Sequence, residues 1–512
     1  MRLEALICVP IALLVPIAAR AATINVTPAD GYQKIEAAKP GDEVVMAPGK
    51  YAFRVHLTQK STPQAPLVIR AQDPKNPPVV DLTGTLVENA PGSYTAGDRG
   101  RGCWQLSGAT NVELSGIVFT GCRTASNNSA GIRYYNGSSV KIKDCIFRQN
   151  DNGLTGGSQD STATVEWSEF DGNGNLAASA PTHNIYVYGG TFSLRYSYLH
   201  DPIQGPNFHV RAHDSTIEYN WIARAKSYSG DLMTDDDCTA GPCTQNMLVR
   251  GNLFLVGTPN NTSQIIAVFN DNGISNVTMK VRVIWNTFVV TAANAHEVHL
   301  ANADGTTMTA EVSNNLVSGG AAPVLIDNAG KGTATGTNNW LPTGTPVGTL
   351  VASVFGSNPF KNAAGKDFTL APGNAINGAS ASVTGAPDKE YFQDEVLARA
   401  YRVRATTKDI GAFESTTTGS GIGPYGTPPV PTTDAGVPTG DSGVPIGDSG
   451  TPPTGDSGTP VNPPDPGNDG GCGCDVVGGS RTSGLGLLGA LGLSVVAVTR
   501  RRSWNKSRKS TT

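Results

Sequence analysis

The sequence of 512 residues lacks the features that mark several common classes of protein. Its formal net charge is only −4, so no broad basic surface points to nucleic acid as a partner. The middle of the chain contains nothing that resembles an amphipathic helix. No second pair of Cys or His residues has the spacing of a zinc site. These absences leave local clusters of side chains to carry any function.

A short phrase instead recurs eight times, with a small polar residue between alternating apolar residues. The polar positions are residues 115, 145, 168, 197, 220, 252, 286 and 315. Their spacing falls within the range of about 20 to 50 residues that indicates a solenoid, and the short period-2 runs rich in Val, Ile, Tyr and Phe indicate strands. The polar residues should lie in line at one bend, where Asn satisfies backbone groups or tolerates a left-handed φ.

The sequence therefore predicts an all-β fold, a single-stranded right-handed parallel β-helix of about 8 to 11 coils. The predicted domain covers residues 23–414. A β-sandwich is the alternative, although a sandwich predicts hairpin turns at shorter and more regular spacing. We expect a monomer that contacts the membrane only through its C-terminal tail.

The N-terminal residues 1–22 have the pattern of a secretory signal peptide. Arg2 is followed by an apolar run from Leu6 to Ala19, and Ala19-Arg20-Ala21 then offers small residues for cleavage. The mature protein is therefore expected to be exported.

Residues 415–470 are composed largely of Gly, Pro, Ser, Thr and Asp, and Gly-Asp-Ser-Gly occurs there three times. No Lys or Arg occurs in this segment. Such a composition cannot bury a core, so it predicts a disordered, acidic spacer.

The last segment, residues 471–512, contains a Cys motif, an apolar stretch and an Arg cluster. Cys472 and Cys474 precede the apolar residues 485–498, and three Arg residues follow at 500–502. The apolar stretch is short for a membrane span, although the basic cluster fits the positive-inside rule. This order of parts resembles the myxobacterial C-terminal sorting signal (MYXO-CTERM). The resemblance implies that sorting machinery processes the tail and that the protein is displayed on the cell surface or released; an uncleaved single-pass anchor is the alternative.

Five cysteines lie in the predicted domain. Cys238 and Cys243 bracket a turn-forming Thr-Ala-Gly-Pro, which predicts a disulfide in an oxidising compartment. Metal binding by these two is the less favoured alternative, since no second pair has a suitable spacing. Cys122 and Cys145 are separated by the length of one short coil and can face each other across adjacent coils. Cys103 competes for either partner, so the sequence leaves this pairing open.

Both ends of the predicted domain contain motifs of a known family. Residues 35–51 contain Gly-Asp and Gly-Lys-Tyr turns, and residues 66–71 end in Arg-Ala. These segments resemble the N-terminal coil of polysaccharide lyases typified by chondroitinase B and alginate lyase. Residues 366–376 and 409–414 are similar to the final coils of pectate-lyase-like β-helices. The resemblance implies the fold of that superfamily. The stretch in which the family's Glu residues bind calcium, with a Lys and an Arg at set distances, is not found, so no catalytic residue carries over.

The shortest spacing supplies a register for neighbouring coils. Ser197 and Asn220 lie one short coil apart, and counting back by the same length from each places residues 184–188 beside residues 207–211. Because side chains alternate along a strand, the apolar residues of both segments face inward and the polar residues face outward. The register predicts an outer strip of Tyr186, Tyr188, His209 and Arg211, extended by Arg133 and Tyr135 and by Asp235, which it places beside Arg211.

The outer strip suits an acidic polysaccharide, because Tyr rings stack on sugars and Arg binds carboxylate or sulfate. β-Elimination from a uronic acid requires neutralisation of the carboxylate, removal of the proton on C5, and protonation of the leaving oxygen. The predicted catalytic residues are His209, Arg211, Lys226 and Tyr186. The predicted substrate-binding residues are Tyr188, Arg133, Tyr135 and His183.

A run of acidic residues follows the residues of the outer strip in the sequence. Oxygen-rich clusters suit Ca²⁺, which makes calcium the candidate cofactor. Its predicted ligands are Asp231, Asp235, Asp236 and Asp237. A solvated acidic loop held by the disulfide is the alternative.

The sequence thus favours a polysaccharide lyase. A glycoside hydrolase that uses two of these carboxylates is one alternative, and a surface adhesin or glycan-binding rod without catalysis is the other.

Overall fold

We describe a computed structural model of the protein. The described residues are 21–94, 101–179, 181–235, 237–238, 242–257, 264–271, 273–291, 296–301, 306–320, 324–328, 332–342, 352–354, 358–393, 399–416 and 419–426. Most of the predicted signal peptide, most of the spacer and the whole tail lie outside these residues. In the described part of the chain, no helix is long and apolar enough to cross a membrane.

Short strands make up almost all of the regular structure. One helical turn, α1, spans Gln33–Glu36, and a 3-10 turn spans Val87–Asn89. The strands in chain order are β1 Thr23–Val26, β2 Glu43–Met46, β3 Gly49–Tyr51, β4 Val55–Leu57, β5 Leu67–Ala71, β6 Pro78–Asp81, β7 Gly102–Ser107, β8 Val112–Ser115, β9 Val118–Thr120, β10 Ala130–Tyr135, β11 Ser139–Lys143, β12 Ile146–Arg148, β13 Leu154–Gly157, β14 Thr162–Glu166, β15 Glu169–Asp171, β16 Ile185–Tyr188, β17 Thr191–Arg195, β18 Tyr198–His200 and β19 Phe208–Arg211. They continue as β20 Asp214–Glu218, β21 Trp221–Ala223, β22 Gly230–Met233, β23 Cys243–Arg250, β24 Leu253–Val256, β25 Gln264–Phe269, β26 Val277–Ile284, β27 Thr287–Val290, β28 His296–Ala301, β29 Thr306–Ser313, β30 Leu316–Gly319, β31 Val324–Asn328, β32 Thr333–Thr335, β33 Asn339–Leu341, β34 Ala352–Val354, β35 Phe360–Asn362, β36 Asp367–Leu370, β37 Lys389–Phe392 and β38 Ala400–Val403.

The coils form three parallel sheets. A typical coil contributes one strand to each of them. Sheet 1 has 12 strands in the order β1-β2-β5-β8-β11-β14-β17-β20-β23-β26-β29-β32. Sheet 2 has 12 strands in the order β3-β6-β9-β12-β15-β18-β21-β24-β27-β30-β33-β34. Sheet 3 has 10 strands in the order β4-β7-β10-β13-β16-β19-β22-β25-β28-β31. All strands of these sheets pair in parallel, and apart from β1–β2 and β33–β34 each pairs with strands that are not its neighbours in sequence, so the predicted parallel β-helix is confirmed and the sandwich is excluded.

The core consists of inward side chains that stack from coil to coil. On sheet 2, the Phe119, Phe147 and Phe170 rings lie parallel, with centroids 5.1 and 4.6 Å apart. Further along, Phe254 and Phe288 repeat the arrangement at 5.0 Å. Offset stacking of this kind adds about 0.5 to 1.5 kcal/mol per pair beyond the burial of apolar area.

The recurring polar residue lines one bend, between sheets 1 and 2. There the backbone N–H of Asn220, Asn252 and Asn286 each donates to the side-chain oxygen of the Asn one coil further on, at 3.0, 3.0 and 2.9 Å. The prediction that these residues lie in line is confirmed for residues 145, 168, 197, 220, 252, 286 and 315. The left-handed φ falls on the preceding residue, such as Tyr219 at 56° and Trp285 at 51°.

The first of the eight predicted copies is out of register. Ser115 pairs with Lys143, and the N–H of Ile146 donates to the carbonyl of Ile117, so Ile117 occupies the position of Cys145 in that coil. A shift of two residues keeps the same side chains facing inward, and alternation alone therefore does not detect it.

Residues 358–426 leave the parallel coils and fold back over the outside of sheet 2. They form two antiparallel hairpins, β35–β36 and β37–β38. The indole N–H of Trp221 donates to the carbonyl of Tyr391 at 2.9 Å, and the N–H of Gly411 donates to the carbonyl of Asn314 at 2.9 Å. Residues 366–376 and 409–414, whose sequences resemble the final coils of pectate-lyase-like β-helices, thus lie in this returning chain.

The cysteine pairing left open by the sequence is resolved by the coil geometry. Cys103 and Cys122 form a disulfide, and Cys145 is a buried free thiol. The predicted disulfide between Cys238 and Cys243 is also present.

Candidate functional site

The outer face of sheet 3 carries the predicted outer strip. Strands β16 and β19 pair with Tyr186 beside His209 and Tyr188 beside Arg211, as the sequence register predicts. Arg133 pairs with Thr155, which pairs with Tyr186, so Arg133, Tyr186 and His209 lie in one row. Tyr135 lies on β10 in the adjacent row.

The predicted position of Asp235 is wrong. Strand β22 pairs with β19 such that Asp231 lies beside His209, and Asp235 comes after β22 has ended at Met233. The register taken from Ser197 and Asn220 applies only where successive coils have loops of equal length. Gly230 lies 22 residues after its partner Phe208, whereas pairing Asp235 with Arg211 requires a separation of 24, so the prediction is out of register by two residues.

Two of the predicted catalytic residues face outward from the coil but are covered. His209 and Arg211 are each 1% exposed. The Arg211 guanidinium donates to the carbonyl of Thr234 at 2.8 Å and to the carboxylate of Asp271 at 3.0 Å. Its Nε donates to Nε2 of His209 at 2.9 Å. Arg211 therefore holds the segments of Thr234 and Asp271 together inside the protein. Its guanidinium is not exposed for binding a substrate carboxylate.

His209 is held between Arg211 and Asp231. Because Nε2 accepts from Arg211, we assign the ring proton to Nδ1, which lies 2.9 Å from Oδ1 of Asp231 without the alignment of a hydrogen bond. Burial, with Arg211 nearby, holds the pKa of His209 well below its usual value. Burial also raises the pKa of Asp231 to about 7. Both groups thus favour their neutral forms.

His183 packs against this pair. Its ring lies 5.0 Å from that of His209, and burial lowers its pKa to about 3, with the neighbouring His209 as the next cause. The Tyr186 ring meets His209 edge-on at 4.6 Å and His183 at 5.4 Å. Two neutral imidazoles therefore fix the orientation of the Tyr186 ring.

The accessible part of the strip consists of partly exposed residues. Tyr186, Tyr188, Tyr135 and Arg133 are all half-buried. The pKa of Arg133 is lowered by desolvation, and within the described part of the chain its Nη1 is buried without a hydrogen-bond partner. A carboxylate or sulfate that enters here would satisfy this group.

The remaining predicted site residues are dispersed. Lys226 is exposed in the turn before β22, and in the described part of the chain it forms no hydrogen bond or ion pair. Asp235 is buried beside His213, and Asp237 is exposed. Asp236 lies outside the described residues. Among the described residues, the predicted calcium ligands do not form a group of three within metal-binding distance.

Sequence reasoning missed Asp271 and understated His213. Asp271 lies 60 residues from Arg211 and reaches it from a loop two coils away, for which no local pattern gives a signal. His213 appears in the sequence as an ordinary residue near a strand end, whereas its ring contacts Asp235 and both cysteines of the nearby disulfide.

A separate cavity of about 540 Å³ opens away from the outer strip. It is lined by Leu82, Thr83, Gly84, Thr85, Leu86, Gly121, Arg123, Gln149 and Ile203. Arg123, the charged residue of this lining, faces the buried carboxylate of Asp151 at 3.5 Å. The cavity thus lacks the combination of cation, phenol and imidazole that the outer strip carries.

No family model and no curated protein matches the chain. Several solved structures are similar. An alginate lyase from Paenibacillus sp. str. FPU-7 is 16% identical over 61% of this chain and 97% of its own, with a TM-score of 0.38. Pectate lyase Pel9A is 12% identical over 78% and 97%, with a TM-score of 0.42. A GH136 lacto-N-biosidase from Eubacterium ramulus is 10% identical over 65% and 67%, with a TM-score of 0.35. Because these TM-scores are all below 0.5, no property of these proteins is transferred to this chain.

Proposed function

We propose that the protein is a polysaccharide lyase that cleaves an acidic polysaccharide by β-elimination on the outer face of sheet 3. One observation carries the proposal: the partly exposed Arg133, Tyr186 and Tyr188 lie on this face, and neutral histidines lie behind them. An arginine with a buried unpaired nitrogen suits a carboxylate, and phenol rings suit sugar faces.

The chemistry divides among these groups. Arg133 binds the uronate carboxylate and neutralises it, which makes the proton on C5 easier to remove. Tyr186 first releases its phenol proton to solvent, and the phenolate then takes the proton from C5, the bond from C4 to the leaving oxygen breaks, and a double bond forms between C4 and C5. The new phenol then returns the proton to the leaving oxygen. Lys226, on the exposed turn before β22, is the second candidate base.

The buried residues position the reacting group. His209 and His183 contact the Tyr186 ring, and Arg211 holds His209 while Asp271 holds Arg211. We therefore assign His209 and Arg211 as positioning residues. Tyr188 and Tyr135 supply the sugar-binding surface beside them.

Export and surface display belong to the same proposal, and they rest on the patterns of residues 1–22 and 471–512. A polymer outside the cell is the substrate that such a location makes accessible. We include calcium as a candidate cofactor, and the assay below measures its effect on lyase activity.

The test is an activity screen of the purified protein on alginate, pectate, hyaluronan and chondroitin, with calcium or with a chelator. We expect ultraviolet absorbance from unsaturated uronate ends on one of these polymers. Tyr186→Phe should lower kcat by about 100-fold or more, the range of lost general acid–base catalysis. Arg133→Ala should raise KM and lower kcat, because Arg133 both binds the carboxylate and eases removal of the C5 proton. Tyr32→Phe and Arg148→Ala, on other faces of the β-helix, are the matched controls.

Other outcomes identify the alternatives. New reducing ends without the absorbance would indicate a hydrolase, and binding without either product would indicate an adhesin. If Tyr186→Phe and Arg133→Ala both retain full lyase activity, the outer strip is not the active site. If Lys226→Ala alone abolishes turnover, the base is Lys226.

A further inference from the structure

Three potential metal ligands, His213, Cys238 and Cys243, meet at the bend between sheets 3 and 1, and the Asp235 carboxylate contacts the histidine there. His213 follows β19, Asp235 and Cys238 follow β22, and Cys243 begins β23. Nε2 of His213 lies 3.7 Å from the sulfur of Cys238 and 3.7 Å from that of Cys243. The same nitrogen lies 2.8 Å from Oδ2 of Asp235. One imidazole is thus shared by two sulfurs and a carboxylate.

We propose that, when Cys238 and Cys243 are reduced, they bind one zinc ion together with His213, and that the Asp235 carboxylate moves from the imidazole to the metal as the fourth ligand. Zinc takes sulfur at about 2.3 Å and imidazole nitrogen at about 2.0 to 2.1 Å in a tetrahedron, which places the two ligand atoms about 3.5 Å from each other. The observed contacts of 3.7 Å match this separation. Two thiolates, an imidazole and a carboxylate form a set that suits zinc, whereas calcium and magnesium select oxygen ligands.

The site is distinct from the acidic cluster predicted from the sequence. That prediction placed Asp235 with its neighbouring carboxylates, whereas the structure places it against His213 and near the cysteine pair. Spacing along the chain does not reveal the set, because His213 lies 25 residues before Cys238 and reaches it only through coil stacking.

The surrounding chain holds the ligands in place without a metal. The side-chain oxygen of Gln245 accepts from the N–H of Asp235 at 3.2 Å, and its amide donates to the carbonyls of Ala212 and Met233 at 3.1 and 3.0 Å. Asp235 and Cys238 are buried, whereas the His213 side chain is 24% exposed. A preformed cluster with one accessible side favours tight binding and leaves a path for the ion.

A thiol reductant converts the oxidised cysteine pair, the Cys238–Cys243 disulfide, to two free thiols. A dithiol donates two electrons and two protons to the Cys238–Cys243 bond, gives two thiols, and is itself oxidised to a disulfide. Zinc then displaces the two thiol protons to solvent as it binds both sulfurs. Thr234, which precedes Asp235, binds Arg211 through its carbonyl, so the ion would brace the chain beside the outer strip.

The test compares zinc binding by reduced and oxidised protein, with a chromophoric chelator as competitor. We expect one zinc per reduced chain, no tight binding by the oxidised chain, and a thiolate-to-metal absorption band when cobalt replaces zinc. His213→Ala should weaken binding by at least about 10- to 100-fold, the loss seen even for groups outside the ligand set. Asp214→Asn, an exposed neighbour of His213, is the matched control and should bind as the unmodified chain does.

Equal binding by reduced His213→Ala and the unmodified chain would overturn the proposal, as would a reduced protein that retains no zinc. Because His213→Ala tests the imidazole alone, the double variant Cys238→Ser with Cys243→Ser provides a second check, and circular dichroism confirms that each variant is folded. None of these readouts depends on lyase activity, so failure here and failure of the proposed function are separate results.

Discussion

Three titratable side chains behind the outer strip are held in their neutral forms by burial. His183 and His209 have lowered pKa values, and Asp231 has a raised one. For the two histidines the neutral form suits the position, because the cation of Arg211 already lies among them and a further positive charge would be unfavourable, whereas Asp231 is shifted toward its neutral form by burial, against the effect of Arg211. This arrangement gives the stability of the protein a specific dependence on pH.

His183→Gln isolates one of these contributions. In the native state the pKa of His183 is about 3, below the usual 6.5, so the unfolded chain takes up a proton that the native protein excludes. As the pH falls below 6.5, this difference should lower the free energy of unfolding by about 1.4 kcal/mol per pH unit. Asp231 acts in the opposite direction up to about pH 7, and it is present in both proteins.

Denaturant unfolding of His183→Gln and the unmodified chain at several pH values checks this. The variant should gain stability relative to the unmodified chain as the pH falls. If the difference in the free energy of unfolding between the two proteins does not change with pH, the pKa of His183 is not lowered in the native state.

At the scale of elements, the bend between sheets 1 and 2 depends on a chain of buried amides. Each Asn in this row donates from its side chain to the next Asn and accepts from the backbone of the previous one, as Asn286 does with Asn315 and Asn252. A single substitution therefore leaves polar groups of two coils unsatisfied. The loss of one Asn from the row should therefore lower the free energy of unfolding by more than the loss of an isolated hydrogen bond does.

Asn286→Ala should lower the free energy of unfolding by about 2 to 4 kcal/mol, because it removes two or more buried hydrogen bonds. Asn286→Ser should cost less, since Ser168 and Ser197 occupy the same row and accept through their hydroxyl groups. The exposed Asn246, substituted by Ala, serves as the control. Thermal or denaturant unfolding measures all three, and equal losses for Ala and Ser at position 286 would contradict the role of the row.

At the scale of the whole molecule, the returning chain of residues 358–426 covers an apolar surface on sheet 2 and the adjacent bend. Trp167, Tyr196, Tyr219 and Trp221 face outward there, where a solenoid normally meets solvent. The returning chain buries them with Phe360, Phe368, Leu370, Ile376, Tyr391, Phe392, Ile410, Ala412 and Phe413. Exposed apolar patches of this kind favour aggregation, so the segment protects the solenoid.

A protein truncated after residue 342 should expose this surface. We expect it to bind a hydrophobic dye and to self-associate in size-exclusion chromatography, whereas a protein that ends at residue 426 should remain monodisperse. Identical behaviour of the two truncated proteins would show that the returning chain is dispensable.

How much the sequence predicts differs between the fold and the site. The parallel β-helix and the facing of β16 and β19 follow from local alternation and a recurring polar residue. The pairing of Tyr186 with His209 follows from two coils of equal length. The pairing of His209 with Asp231 does not, because loop lengths change between coils and the register moves with them.

The sequence by itself determined that the middle of the chain forms short strands, which side chains of β16 and β19 face outward, and which polar residue turns the coils from Cys145 to Asn315, because these depend on near neighbours in the chain. Only the tertiary structure decided that Arg211 is bound by Asp271, that Cys103 pairs with Cys122, and that His213 meets Asp235 and two cysteines. Those contacts join residues from different coils. Their partners are set by the stacking of coils and the path of loops, which leave no periodic trace in the sequence.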